Sequence, residues 1–451
     1  MVKTLKDHQI FAIECMNYSP QLGIFYQPGC GKTAIALTWL LESLKKGLIK
    51  DALVICPASL VPNWAKDIDD FTDFDHVTAE DVKLLQEKVT IRSFQKTYAT
   101  LKHTVHHRDG TEEVIRRRKL SPDVDKFWGA IIIDESQSIG RHDSQQTKTA
   151  LTLSHLTHYR YLLSGTPISG STKAGADYAK MYGQMLFLHP GLWNNWGEFC
   201  GKYVEKRGYF KQIEKYREEP LKKLLDDNSI SMRLEDCCDL PEITETWIPC
   251  PLVEKKIYYD MMYARTEKYP LDFKAGGVQF TKMLQTCSGH LKTDDGLWTL
   301  KTSKDQALTD ILTGTDDSVV VFCTYTASVD RCYEVAKKAG RNPVIFDGRS
   351  TTATWKDFQD GTYDTIILQW QAGGAGLNLQ ISHTLVVYEP TFTSEKWEQG
   401  RDRIKRINQK HKMRYIYLYT PDTNEEFVYA NVSCGITITD ELIFGWLDQH
   451  M

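Results

Sequence analysis

Gln27-Pro28-Gly29-Cys30-Gly31-Lys32-Thr33 decides the fold. It follows a short apolar run, Leu22 to Phe25, and opens a periodic segment, Ala34 to Leu44, whose spacing predicts a helix. A strand, a tight glycine loop and a helix beginning at Lys-Thr make a cradle for phosphate. Gly29 and Gly31, on either side of Cys30, free the backbone to curl so that successive N–H groups point inward at phosphate oxygens. Lys32 is placed to reach the β- and γ-phosphates of a nucleotide, and Thr33 to put its hydroxyl on Mg²⁺. Tyr26 stands where the fuller form of this loop begins with a glycine. The plainer reading, a glycine turn before an ordinary helix, weakens as the rest of the chain is added.

Working outward, Ala52–Cys56 and Ala130–Ile133 are continuous apolar runs, and Val89–Phe94 and Tyr159–Leu163 repeat the strand-then-loop form. Strands buried on both faces of a parallel sheet read this way, and such sheets bind ligands at the strands' carboxyl ends. Ala130–Ile133 runs into Asp134-Glu135. An aspartate there suits the Mg²⁺ shell opposite Thr33, and the next glutamate suits orienting and deprotonating an attacking water. About 100 residues after a lysine-bearing loop, the carboxylate pair gains force that it lacks alone.

The second half restarts the pattern. Val319–Phe322, Pro343–Phe346, Thr365–Leu368, Thr384–Tyr388 and Tyr415–Tyr419 are strand candidates, and Ser328–Ala339 reads as a helix. No second Lys-Thr loop appears. The expected fold is α/β, with two RecA-like parallel-sheet lobes carrying helical insertions. The N-terminal ATP-binding lobe is placed at 1–239, with a helical insertion at about 170–235 whose aromatics form a small core. A helical insertion at 240–300 belongs to the second lobe, and the C-terminal lobe runs over 301–451, with 293–302 as loop. Lys102 to Leu120, turning at Asp109-Gly110, reads as a polar hairpin; a solvated excursion is the plainer account, although Arg116-Arg117-Arg118-Lys119 keeps a nucleic-acid finger open. Arg403 and Arg406, three apart, are expected on one helix face, as fingers from a lobe without its own phosphate loop.

Composition bounds the rest. At 451 residues, 25% charged and 41% hydrophobic, the chain is of ordinary globular type. No apolar run nears the roughly 18 residues of a membrane span, and the polar start, Met1 to Gln9, shows no secretory signal. The 11 cysteines lack paired C-x-x-C spacing and read as reduced thiols in an intracellular protein; Cys287-x-x-His290 has no second half nearby. With a net charge of −4, nucleic acid must be held through local basic surfaces.

The ordered set then resembles the Swi/Snf-type family of superfamily 2 DNA translocases, with its annealing-helicase-like branch most similar. The stretches that carry it are LKDHQ, QPGCGKT, CPASLVPNW, IRSF, IIIDESQ, LLSGTP, AGGAGLNL and QGRDRIKRINQ, joined by ISMRLEDCCDLPEIT and LQTCSGH. The resemblance implies that Gln9 reads the adenine edge, an amide being able both to donate and to accept. It implies that Lys32 and Thr33 bind ATP and metal, that Asp134 and Glu135 serve metal binding and hydrolysis, and that Arg403 and Arg406 are arginine fingers. Ser59, Ser93 and Thr166 would lie beside the DNA. Three departures stand out: Gln137 where the family usually has histidine, Gln371 where a basic residue is common, and Asn408 for a frequent glycine.

The expected activity is an ATP- and Mg²⁺-dependent double-stranded DNA translocase, working as a monomer on duplex or branched DNA and remodelling DNA structures or protein–DNA complexes. A strand-separating helicase of the same superfamily is the first alternative. A nucleic-acid-binding scaffold with a regulatory nucleotide site is the second, and intact Lys32, Glu135, Arg403 and Arg406 weigh against it. No reader or histone-tail-binding segment is legible, so nucleosome remodelling is not expected.

Overall fold

The computed structural model describes residues 3–106, 112–168, 171–172, 175–207, 212–238, 240–263, 269, 276–350, 353–372, 377–406 and 409–451. The chain divides into two compact units, Met1–Ser169 with Lys173–Cys237, and Gly170–Thr172 with Cys238–Met451.

The first unit is built on a six-stranded sheet. Its spatial order is Ser229–Met232, Gln21–Tyr26, Thr157–Leu163, Trp128–Asp134, Ala52–Cys56 and Val89–Ser93. All neighbouring pairs are parallel. The apolar runs are central because both their faces are covered: Ala52–Cys56 is buried at every position. Helix α1 (Asp7–Tyr18) precedes the Gln21 strand, and α2 (Lys32–Lys45) follows it. Gly31, at φ 80°, turns the chain into α2, a conformation that glycine enters at little cost.

The 170–235 stretch differs from the all-helical expectation. Helices Met181–Leu188, Trp196–Tyr203 and Glu218–Asp226 are present, together with a hairpin of Val204–Arg207 and Gln212–Tyr216. Its last strand, Ser229–Met232, completes the first sheet beside Gly23–Tyr26. Only four residues long and half-buried at an edge, it carries too little apolar pattern to announce itself. The aromatics do form a core: Trp193, Trp196 and Phe199 stack or meet edge-on around Tyr182. The hairpin expected over 102–120 starts four residues earlier, as Tyr98–His106 antiparallel to Glu112–Leu120, with Asp109-Gly110 lying outside the described residues.

The second unit carries its own parallel sheet, ordered Ile243–Pro249, Met413–Tyr419, Thr384–Val387, Val319–Cys323, Thr365–Gln369 and Pro343–Phe346. Two segments correct the sequence reading. Ile243–Pro249, expected within a helical insertion, is the edge strand of this sheet, exposed over Thr244–Trp247 and therefore without the continuous apolar run of a central strand. Residues 293–302, expected as loop, contribute to a hairpin of His290–Thr293 and Gly296–Thr299. Helices Lys255–Met262 and Gly276–Cys287 supply the expected helical part. A buried ion pair ties helix Lys304–Thr313 to helix Asn424–Ser433: Lys304 Nζ lies 2.5 Å from Glu425 Oε1, with side chains 0% and 1% exposed. Among the described residues no helix is long and apolar enough to cross a membrane.

Candidate active site

The carboxyl ends of the first sheet's strands gather the chemistry. The glycine loop 27–33 follows Gln21–Tyr26, Ser59 follows Ala52–Cys56, Ser93 ends Val89–Ser93, Asp134 ends Trp128–Asp134, and Thr166 follows Thr157–Leu163. Strand order thus brings residues from five segments to one edge, which is where doubly wound sheets place ligands. Among them Ser59 is exposed and Thr166 half-buried, whereas Ser93 is buried.

Gly29 and Gly31 hold φ 95° and 80°, so the loop curls as its glycines allow. A Cβ on Gly31 would come within 2.1 Å of Gln9 Nε2, and one on Gly165 within 2.7 Å of Pro28. Two glycines therefore let α1 and the Ser164-Gly165-Thr166 turn close on the loop from two sides. Lys32 Nζ donates to the carbonyls of Tyr26 at 2.6 Å and Gln27 at 3.4 Å. The ammonium is held by the loop's own acceptors, at the mouth of the cradle.

Gln9 has a structural task. Its Oε1 accepts from the Lys6 N–H at 2.9 Å, closing the first turn of α1, and its Nε2 donates to the Cys30 carbonyl at 3.4 Å. His8 Nε2 lies 3.0 Å from the same carbonyl, and Tyr26 Oη donates to His8 O at 3.1 Å. The start of α1 is thus clamped to the phosphate loop. Each Gln9 polar atom retains capacity for one more partner.

Asp134 is buried. Its Oδ2 accepts from Trp64 Nε1 at 2.9 Å and its Oδ1 from the Glu135 N–H at 2.9 Å. Burial, then the Glu135 charge, push its carboxyl up from the usual carboxylate range, with the Trp64 hydrogen bond and then Lys32 acting in the opposite sense. A cation placed against it would favour the ionised form, and each oxygen keeps a lone pair for one. Glu135 sits at φ 49°, ψ 52°, a left-handed conformation that strains a residue with a Cβ by about 1–3 kcal/mol.

The side chains beyond Glu135 form a chain of hydrogen bonds. Gln137 Nε2 donates to Glu135 Oε2 at 2.8 Å, Ser164 Oγ donates to Gln137 Oε1 at 2.7 Å, and the Thr166 N–H donates to Ser164 Oγ at 3.0 Å. Glutamine suits the middle position because one end of its amide donates while the other accepts. Trp64 and Ser164 carry no role in the sequence reading; the resemblance of CPASLVPNW and LLSGTP was the only signal for them.

The second unit corrects one geometric expectation. The helix that holds Gln399 runs Ser394–Arg401 and stops, so Arg403 and Arg406 do not share a helical face. Beyond the helix the chain runs on as a turn, the Arg403 N–H donating to Gly400 O at 3.1 Å and the Arg403 carbonyl accepting from the Leu379 N–H at 3.2 Å. Arg403 is 3% exposed, and Arg406 Nη2 donates to Leu377 O at 3.1 Å. Residues 373–376 and Asn408 lie outside the described residues, whereas Gln371 is exposed.

The family model described as SNF2-related domain matches residues 8–310, and that described as Helicase conserved C-terminal domain matches 303–408. The chain is 24% identical over 495 residues to the transcription regulatory protein SNF2 of Saccharomyces cerevisiae, covering 98% of this chain but 28% of that protein. It is 24% identical over 478 residues to the DNA repair protein rhp54 of Schizosaccharomyces pombe, covering 90% of this chain and 53% of that one. Among solved structures, the Sulfolobus solfataricus SWI2/SNF2 ATPase core in complex with dsDNA aligns over 95% of this chain and 91% of its own, at 18% identity and a TM-score of 0.42. The chain thus spans about half or less of the length of these curated relatives.

Proposed function

Because this chain belongs to the SNF2-related family, we propose that it is a DNA-dependent ATPase that spends ATP to move along duplex DNA. The observation that carries this reading is the hydrogen-bonded line from Glu135 through Gln137 and Ser164 to Thr166. It links the carboxylate proposed to orient water with a residue proposed to lie beside DNA, which is the link that a motor needs.

In this mechanism the triphosphate displaces the Tyr26 and Gln27 carbonyls as acceptors for the Lys32 ammonium, while loop N–H groups hold its oxygens. Thr33 in the first turn of α2 and Asp134 at the strand end would hold Mg²⁺, which would supply positive charge against the negative charge developing on the phosphates. Glu135 orients a water and accepts its proton as the water oxygen bonds to the γ-phosphorus and the bond from that phosphorus to the β–γ bridging oxygen breaks, the electron pair leaving with ADP. Gln9 reads adenine with its remaining polar capacity. Arg403 and Arg406 are proposed as fingers on the family resemblance of QGRDRIKRINQ, a role that a permanently charged, planar guanidinium suits. Ser59, which is exposed, holds a DNA phosphate by its hydroxyl, whereas buried Ser93 and half-buried Thr166, whose N–H goes to Ser164 Oγ, act by setting the loops beside the duplex; none of this reads sequence.

The test is ATP turnover titrated with duplex, single-stranded and forked DNA, alongside displacement of a third strand from a triplex, with Glu135→Gln as the non-hydrolysing control. Duplex-stimulated turnover with triplex displacement is expected. Efficient unwinding of a tailed duplex without triplex displacement would establish the strand-separating alternative, and turnover indifferent to every DNA would sink the motor reading.

A further inference from the structure

Two thiols meet at the phosphate loop. Cys30, between Gly29 and Gly31, is buried, and its Sγ lies 3.6 Å from Cys237 Sγ, 207 residues later in the chain. Cys237 is half-exposed and ends the short helix Leu234–Cys237. It lines a recess of about 620 Å³ shared with Lys6, Asp7, His8 and Phe11, which flank Gln9 on the first turns of α1. None of the cysteines is in a disulfide. The loop and this helix are held in register by the backbone. The Gln27 N–H donates to Met232 O, and the Leu234 N–H donates to Gln27 Oε1, both at 2.9 Å. Ser229–Met232 in turn pairs with the strand that leads into the loop.

We propose that Cys30 and Cys237 form a reversible disulfide that shuts the nucleotide site under peroxide. The Cys237 thiolate attacks one peroxide oxygen, giving a sulfenic acid, and the departing hydroxide takes up a proton as water. Cys30 Sγ then attacks the sulfenic sulfur, the S–S bond forms, and the hydroxyl leaves with the Cys30 proton as a second water. The two thiols lose two electrons and the peroxide gains them. A small thiol reverses the step by exchange.

The geometry explains why closure acts on the loop. Disulfide sulfurs stand about 2.05 Å apart, so these two approach by roughly 1.5 Å. The Leu234–Cys237 side is held by strand pairing and by Gln27, whereas Cys30 is flanked by two glycines at positive φ. The pliable side gives way. Turning Cys30 toward Cys237 reorients the loop, whose Cys30 N–H now donates to the Gln27 carbonyl at 3.2 Å, and so disturbs the N–H cradle proposed for phosphate; each phosphate bond lost is worth roughly tenfold in affinity.

This inference rests on the nucleotide-site reading above, and one experiment separates the two. The reduced full chain is treated with hydrogen peroxide with and without ATP, mapped by peptide mass, and titrated with a fluorescent ATP analogue; Cys237→Ser is carried in parallel. The expected outcome is a linked Cys30–Cys237 peptide that ATP slows from forming. With it should come a fall of roughly tenfold or more in ATP affinity, reversed by dithiothreitol and absent in Cys237→Ser. No linked peptide, or a linked peptide with unchanged affinity, overturns the proposal, as does an equal loss in oxidised Cys237→Ser. Failure of the reduced protein to bind the analogue strikes the nucleotide-site reading instead, while the peptide map still decides the cross-link.

Discussion

Replacing Gln137 with alanine tests the line that joins the two halves of the proposed chemistry. Gln137 Nε2 donates to the Glu135 carboxylate at 2.8 Å, a charge-assisted bond worth about 1.5–3 kcal/mol. Glu135 is held at φ 49°, so without that bond its carboxylate gains freedom to leave the position from which it faces a water. If the whole of the bond contributes to orientation, turnover falls by about 10- to 150-fold. ATP affinity should hold, because Lys32, Thr33 and the loop glycines do not depend on Gln137. Ser164→Ala removes the hydroxyl that donates to Gln137 Oε1 at 2.7 Å and accepts from the Thr166 N–H, so it should lower turnover through the same route. The double variant should then lose little more than Gln137→Ala alone, as residues acting in one line are not additive. The assay is DNA-saturated ATP turnover, with analogue titration for affinity and thermal unfolding to confirm that the buried Ser164 site still folds. A Gln137→Ala protein turning over near the parental rate, or full additivity in the double variant, would refute the reasoning.

Other parts of the molecule carry their own tests. Arg406→Ala should cut turnover by about 10³-fold with ATP affinity held, as loss of an arginine finger does; Arg403→Ala should do the same and also lower the unfolding midpoint, since Arg403 is buried. Normal turnover at saturating DNA with weakened DNA binding would instead assign that arginine to the track. Glu425→Gln strands the buried Lys304 ammonium and should cost about 3–5 kcal/mol in urea unfolding, much of it recovered by adding Lys304→Met; a cost near zero would mean that water reaches the pair. His290 is buried beside Ser328, Tyr325, Glu389 and Arg331, and burial, opposed by Glu389 and aided by Arg331, holds its imidazole below the usual 6.5. Above 6.5 neither folded nor unfolded chain carries that proton; below it the unfolded chain takes the proton first, so stability falls as pH falls from 6.5 through the folded value. His290→Gln should flatten that part of the unfolding-midpoint profile, and an unchanged slope would place the titration elsewhere.

The sequence by itself determined which segments are central strands and where the chemistry falls along them. Val54, Ile132 and Val321 belong to runs apolar at every position, and such runs have no stable home except a sheet covered on both faces. Glycine at 29 and 31 and the carboxylates at 134 and 135 follow such runs, so their position at a strand's carboxyl end was legible locally. Partnerships across the chain were not. Trp64 reaches Asp134 over 70 residues and Ser164 reaches Gln137 over 27, through contacts that no local spacing encodes. The edge strands Ser229–Met232 and Ile243–Pro249 escaped because an edge is only partly covered and needs no apolar run. The helix ending at Arg401 was equally hidden: an arginine-rich stretch suits a helix by propensity, yet the chain leaves it through a turn, and the Arg403 carbonyl accepts from the sequence-distant Leu379 N–H. Local pattern fixes an element when burial repeats with its period; single long-range hydrogen bonds have no period, and folding alone brings their partners together.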